Sequence, residues 1–151
     1  GRLYGLETVA LRYFNVFGPR QDPNSEYAAV IPRFVAKLRA GERPIVYGDG
    51  EQTRDFIHIS DVVRANLLAA RVPGAAGGVY NIGGGERVSL NRLLAIASDL
   101  LGKDARPEYQ APRPGDIHDS VADITWAREA LGFTPQTPFK EGLDDLLRAD
   151  G

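Results

Sequence analysis

The chain has 151 residues, a mass of 16.4 kDa and a formal net charge of −2, the size of one domain that buries about 70% of its unfolded surface. Hydrophobic residues at 43% and charged residues at 25% are an ordinary globular balance, and the mild acidity argues against a nucleic-acid or membrane-surface binder, whose affinity rests on a basic field. With no Cys there are no disulfides or thiolate metal sites, and no apolar run nears the ~20 residues that span a bilayer.

A soluble, cytoplasmic protein is the expectation. The absence of Met leads us to expect a processed, engineered or truncated chain. Residues 8–17 (TVALRYFNVF) are rich in β-branched and aromatic side chains and end at Gly18-Pro19, which predicts a buried strand closed by a turn. A polar loop follows at residues 20–26. Residues 28–39 carry apolar positions at Val30, Ile31, Phe34, Val35 and Leu38, a helical spacing, with Pro32 tolerated in the first turn. Residues 44–47 predict a short strand, Gly48-Asp49-Gly50 a turn, and residues 54–59 a second short strand. Ser60 or Asp61 is expected to cap a helix over 62–70 with Leu67 and Leu68 inward. Residues 79–82 predict a strand ending at three glycines. Ser89 caps a helix that runs to Leu101 and ends at Gly102. Residues 107–115 hold three prolines and are expected to be extended. Two further helices are predicted over 124–131 and 139–148. Strands alternating with helices argue for an α/β fold with parallel pairing.

Few residues offer catalytic chemistry. His58 lies in an apolar strand, where a structural role is the simpler reading, and His118 sits in a polar loop. There is no His-Glu-x-x-His, no Gly-x-Ser-x-Gly and no phosphate loop. Neither Gly48-Asp49-Gly50 nor Gly83-Gly84-Gly85 completes a dinucleotide fingerprint. The triplet is read as a tight strand-to-helix turn. Arg54, beside a Gly-rich turn, and Arg113, stiffened by Pro112 and Pro114, present forks suited to a diphosphate. Pairing with surface carboxylates would explain them as well. Tyr47 can stack on a base or pack in the core.

Taken together the motifs resemble a known family. Leu11-Arg12-Tyr13-Phe14-Asn15-Val16-Phe17-Gly18-Pro19 is similar to the strand and loop that follow the catalytic tyrosine segment of extended short-chain dehydrogenases. Ala28-Ala29-Val30-Ile31-Pro32, the run from Val46-Tyr47-Gly48-Asp49-Gly50 through Gln52-Thr53-Arg54-Asp55-Phe56 to Asp61-Val62, then Tyr80-Asn81-Ile82-Gly83, Arg113-Pro114-Gly115-Asp116, Ala122-Asp123-Ile124 and Glu141-Gly142-Leu143 follow in family order. The resemblance covers the chain and points to NAD-dependent sugar-nucleotide epimerases and dehydratases, most of all UDP-hexose 4-epimerases. UDP-glucuronate decarboxylases and other dehydratases share several of these motifs.

The resemblance implies the following. The chain is the C-terminal, substrate-binding part of such an enzyme: the last strands of the Rossmann sheet plus a small substrate-binding α/β subdomain, with the N-terminal Rossmann half absent. Asn15, Ala29, Val30, Tyr47, Arg54, Arg113 and Asp116 face the UDP-sugar: Tyr47 at the uracil, the two arginines on the diphosphate, Asp116 near the ribose. Tyr13 and Phe14 line the nicotinamide side, or simply fill the sheet core. No metal is expected. Tyr-x-x-x-Lys is missing: the residues four positions after the six tyrosines are Thr8, Phe17, Ile31, Glu51, Gly84 and Arg113. No catalytic residue is therefore assigned, and neither activity nor NAD binding is expected of this chain alone. In the complete enzyme, hydride from the sugar C4 passes to NAD, the keto-sugar turns about its diphosphate, and hydride returns to the other face. Two other readings compete: a stand-alone UDP-binding module, and a remnant that persists as a homo-oligomer.

Overall fold

The computed structural model describes residues 3–21 and 30–149. The first strand-like run divides into β1 (Ala10–Tyr13) and β2 (Asn15–Phe17). β1 pairs in parallel with β6 (Val79–Ile82), and β2 pairs in parallel with β5 (Phe56–His58). The change of partner falls between neighbours: the Phe14 N–H donates to Ile82 O at 2.9 Å and the Asn15 N–H to Asp55 O at 3.0 Å. The expected single buried strand is thus two pieces in two sheets, and β1 is mostly exposed because only one of its edges is paired among the described residues.

The β2–β5 ladder is a wall between two cores. Side chains alternate across a strand, so Phe17 and Phe56 enter one core while Val16 and Ile57 face the other. The first core is closed by α1 (Val30–Arg39), α3 (Leu90–Leu101) and α5 (Phe139–Ala149). Its centre is aromatic: the Phe56 and Phe139 rings stack at 5.3 Å, and Phe17 meets both at an angle. The second core lies under α2 (Ile59–Arg71) and α4 (Thr125–Leu131), with Phe133 fully buried. Two small ladders complete the fold. β3 (Ile45–Tyr47) pairs in parallel with β8 (Glu108–Gln110), and β4 (Thr53–Arg54) pairs antiparallel with β7 (Val88–Ser89), a strand the sequence pattern did not signal.

Helix ends follow local chemistry. The Ser89 hydroxyl accepts from Arg92 N–H, and Gly102 and Gly132 take left-handed φ of 60° and 67° to close α3 and α4. The expected cap of α2 is corrected. β5 runs straight into the helix, so His58 is the cap and its Nδ1 accepts from Ser60 N–H. Asp61 instead receives N–H bonds from Gln136 and Thr137 and binds Arg64. Leu67, expected inward, is 47% exposed, because Asp61, Val62 and Ala65 form the buried face. No described helix is long and apolar enough to cross a membrane.

Gly84 is required by close approach. A Cβ there would collide with the Phe56 carbonyl oxygen, a backbone atom that cannot swing aside. Gly84→Ala is expected to cost about 2–3 kcal/mol of stability, as overpacking against rigid structure does. Urea unfolding of the variant checks this, and an unchanged midpoint would refute it.

Candidate functional site

A cavity of about 760 Å³ opens between α1, β3 and the 113–116 segment. Six of the sequence-predicted residues line it: Asn15, Val30, Tyr47, Arg54, Arg113 and Asp116. Ala29 lies outside the described residues. Tyr13 and Phe14 are not part of its wall. Tyr13 is 46% exposed with its hydroxyl donating to Asn66 Oδ1 at 3.0 Å, and Phe14 is half-buried, so neither fills a sheet core.

Next to Arg54 in the chain is a buried carboxylate. Asp55 is fully buried between β4 and β5 and accepts backbone N–H bonds from Gly84 at 2.6 Å, Gly85 at 3.0 Å and Ala122 at 2.9 Å. Burial pushes its carboxyl above the usual 3.8, against the opposing pull of those three N–H groups. The glycine triplet is therefore a turn whose N–H groups cradle an internal anion, in keeping with the reading against direct phosphate binding. The Asp55 backbone carbonyl holds Asn15, whose Nδ2 donates to it at 2.8 Å. The backbone of Asp55 thereby holds Asn15.

Arg54 is already engaged. Its Nη2 pairs with Asp116 Oδ1 at 2.5 Å, and its Nη1 donates to the carbonyls of Thr53 at 2.8 Å and Ile117 at 2.6 Å. Thr53 adds a hydroxyl bond to Asp119 and an N–H bond to His118 O. Asp119 in turn raises the His118 pKa by hydrogen bond and charge, and its own is lowered by His118 and the Thr53 hydroxyl. These contacts pin the 116–119 segment to β4. The Arg113 guanidinium sits over the Tyr47 ring, its Cζ 3.8 Å from the centroid, with no described carboxylate in ion-pairing range. The surface-pairing reading thus fits Arg54 and not Arg113.

The ion pair on Arg54 competes with any anion that this arginine receives. Both side chains are partly exposed, at 19% and 39%, so the pair contributes about 0–1 kcal/mol. On the expectation from the resemblance that Arg54 receives a diphosphate, Asp116→Asn should raise UDP affinity a few-fold, roughly that 1 kcal/mol, by lifting a like charge from beside it. Calorimetry checks this, and a loss of affinity would mean that Asp116 itself contacts the nucleotide.

Among the wall residues that sequence reasoning missed are Arg33, Lys37 and Gln52. Arg33 and Lys37 are four apart and so share one face of α1, a signal that was available. Gln52 gave none. The backbone of β3 also matters. Glu108 N–H bonds to Pro44 O and Gly48 N–H to Gln110 O, so in this parallel ladder Val46 is bonded toward β8 while Ile45 and Tyr47 turn their peptide groups away from β8.

Comparison with known proteins now fixes the lineage. The profile described as the NAD dependent epimerase/dehydratase family matches residues 1–83, more than half of the sequence. The chain belongs to that family. It is similar to the UDP-glucose 4-epimerase of Thermotoga maritima solved with UDP-glucose, at 42% identity and a TM-score of 0.92, covering 99% of this chain and 47% of that one. It is similar also to the UDP-N-acetylglucosamine 4-epimerase of Methanobrevibacter ruminantium M1 in complex with UDP-N-acetylmuramic acid, at 47% identity and 0.91, again over 99% and 47%. The UDP-glucose 4-epimerase of Mycolicibacterium smegmatis is 39% identical over 93% of this chain and 44% of its own length. The chain spans about half the length of the relatives it matches. The α/β fold with short parallel strands is that of these epimerases.

In both glycine turns, backbone N–H groups of the kind that would meet the pyrophosphate of NAD, the family's cofactor, are engaged within the chain. The N–H groups of Gly84 and Gly85 are engaged by Asp55. In the other glycine turn, the Asp49 carboxylate accepts the Glu51 N–H. Among the described residues there is no cluster of His, Asp or Glu able to hold a metal.

Proposed function

We propose that this chain is the UDP-sugar-binding, C-terminal part of an NAD-dependent UDP-hexose 4-epimerase, a single unit that lacks the N-terminal Rossmann half and is inactive alone. The observation that carries the reading is the convergence of Tyr47, Arg54, Arg113 and Asn15, drawn from three separate stretches of sequence, on one cavity. An aromatic ring beside two guanidinium groups matches a nucleoside diphosphate: a flat base, then paired phosphates. Holding the diphosphate leaves the hexose as a pivoting end, and remote binding energy of this kind positions the reacting centre. Two surface features support a missing half as the partner. The second edge of β1 is open among the described residues, and α2 exposes Ile59, Val63 and Leu67 in one stripe at 40–53%.

Calorimetric titration with UDP, and with NAD in parallel, tests the proposal. Micromolar UDP binding with no NAD binding and no epimerisation is expected. Tight NAD binding, or turnover of UDP-glucose by the pure chain, would overturn it.

A further inference from the structure

His58 is buried, 6% exposed, and the proposed function makes no use of it. Three elements meet on its ring. As the last residue of β5 it caps α2, its Nδ1 accepting the Ser60 N–H at 3.4 Å. Phe17 of β2 stands edge-on to it at 5.5 Å, and α5 crosses at Gly142, where a Cβ would lie 3.0 Å from the ring Cδ2. The other nitrogen faces α5. Nε2 is buried without a hydrogen bond among the described residues, 3.3 Å from Asp145 Oδ2. Asp145 is the one described charge within ion-pairing range of the ring. The other charges of the packed elements are occupied or remote. Asp61 of α2 is held by Arg64 and by the Gln136 and Thr137 N–H groups. On α5, Lys140 pairs with Asp99, Asp144 pairs with Arg148, and Glu141 is exposed. β2 and residues 134–138 carry no charged side chain.

We infer that His58 is an acid-operated latch that trades the cap of α2 for an ion pair with α5. A ring nitrogen that accepts a hydrogen bond carries no proton, so the capping ring is neutral with its hydrogen on Nε2. A second proton makes both nitrogens donors. Nδ1 then no longer accepts the Ser60 N–H, and the charged ring stands at a helix N-terminus, which disfavours cations. In return Nε2–H gains the Asp145 carboxylate. Two hydroxyls allow the exchange. Ser60 Oγ lies 2.8 Å from Nδ1 and 3.1 Å from Thr137 Oγ1. In the neutral state the Thr137 hydroxyl donates to Ser60 Oγ and the Ser60 hydroxyl to Nδ1. In the charged state the order reverses, so Nδ1–H donates to Ser60 Oγ and the Ser60 hydroxyl to Thr137. The start of α2, with Ile59 of the exposed stripe, is firm in the neutral state and loosened in the charged one.

The test follows the imidazole nitrogen resonances of His58 and the Ser60 amide by NMR on the chain, between about pH 8 and pH 5, where histidine side chains change charge. Nδ1 is expected to be unprotonated at the upper end and protonated at the lower. Protection of the Ser60 N–H from exchange should fall in step by about fivefold, the equivalent of one side-chain cap. Asp145→Asn, at an exposed position, should move both changes together to lower pH, because the charged ring loses its partner. His58→Asn caps a helix without titrating and should hold Ser60 protection constant over the range; Asp145→Asn carries the test if that variant does not fold. A ring that keeps one proton throughout, a Ser60 amide indifferent to the ring's proton, or an Asp145→Asn titration that superimposes on that of the unsubstituted chain would each overturn the inference. None of these outcomes involves a nucleotide, so the proposed function stands or falls separately.

Discussion

Arg113→Ala is expected to weaken UDP binding by about 1.5–3 kcal/mol, the worth of hydrogen bonds to a charged group, or roughly 10- to 150-fold in Kd. The same substitution should leave the fold nearly intact. Arg113 is exposed, the one described contact of its side chain is the Tyr47 ring, and its guanidinium satisfies no buried acceptor. An exposed cation–π contact contributes about 0.5–1 kcal/mol, so the binding loss exceeds the stability loss and the two measurements separate. Calorimetry for affinity and urea unfolding for stability suffice. Unchanged affinity would remove Arg113 from the site.

Asp55→Ala should do the opposite and strike the fold first. Three backbone N–H groups, from Gly84, Gly85 and Ala122, converge on this carboxylate in a fully buried setting. Each orphaned donor costs about 1–3 kcal/mol, so a loss of at least about 3 kcal/mol is expected, a large part of the ~5–15 kcal/mol of a typical domain. The pH dependence has a definite sign. The folded carboxyl titrates above 3.8, so the folded chain holds this proton more tightly than the unfolded chain. That contribution is complete below pH 3.8 and is lost as pH rises through the folded pKa. Above that range the three N–H bonds hold the ionised group against its burial. Thermal unfolding at neutral pH reads the first effect. Comparing stability between acid and neutral pH with Asp55→Asn, which cannot ionise, reads the second. A neutral-pH midpoint within a degree of the unsubstituted chain would show that the N–H groups find other partners.

Much of the architecture was legible because it rests on local signals. The strand over residues 79–82, the Ser89 cap and the Gly102 and Gly132 stops matched what their side chains dictate nearby. The misses have a common cause in tertiary context. His58 displaced Ser60 as a cap because a strand enters the helix without a loop, and β7 is a two-residue strand that exists only through its pairing with β4. In the site, Tyr47, Arg54 and Arg113 were readable from residue chemistry and from a family resemblance. The Arg54–Asp116 ion pair and the stacking of Arg113 on Tyr47 were not, since both join positions about 60 residues apart. Gln52 was invisible because a place on a cavity wall is a property of packing alone.

The run from Ala10 to Phe17 is held by β6 at its first half and by β5 at its second. A one-residue slip in a ladder turns every side chain to the wrong face. Here such a slip cannot occur in one ladder alone, because the two halves are joined by the single residue Phe14. Sliding β1 against Val79–Ile82 would also carry Phe17 out of the aromatic core and Asn15 off the Asp55 carbonyl. Each ladder thus proofreads the alignment of the other during folding, and the residue that faces the cavity sits at the checkpoint.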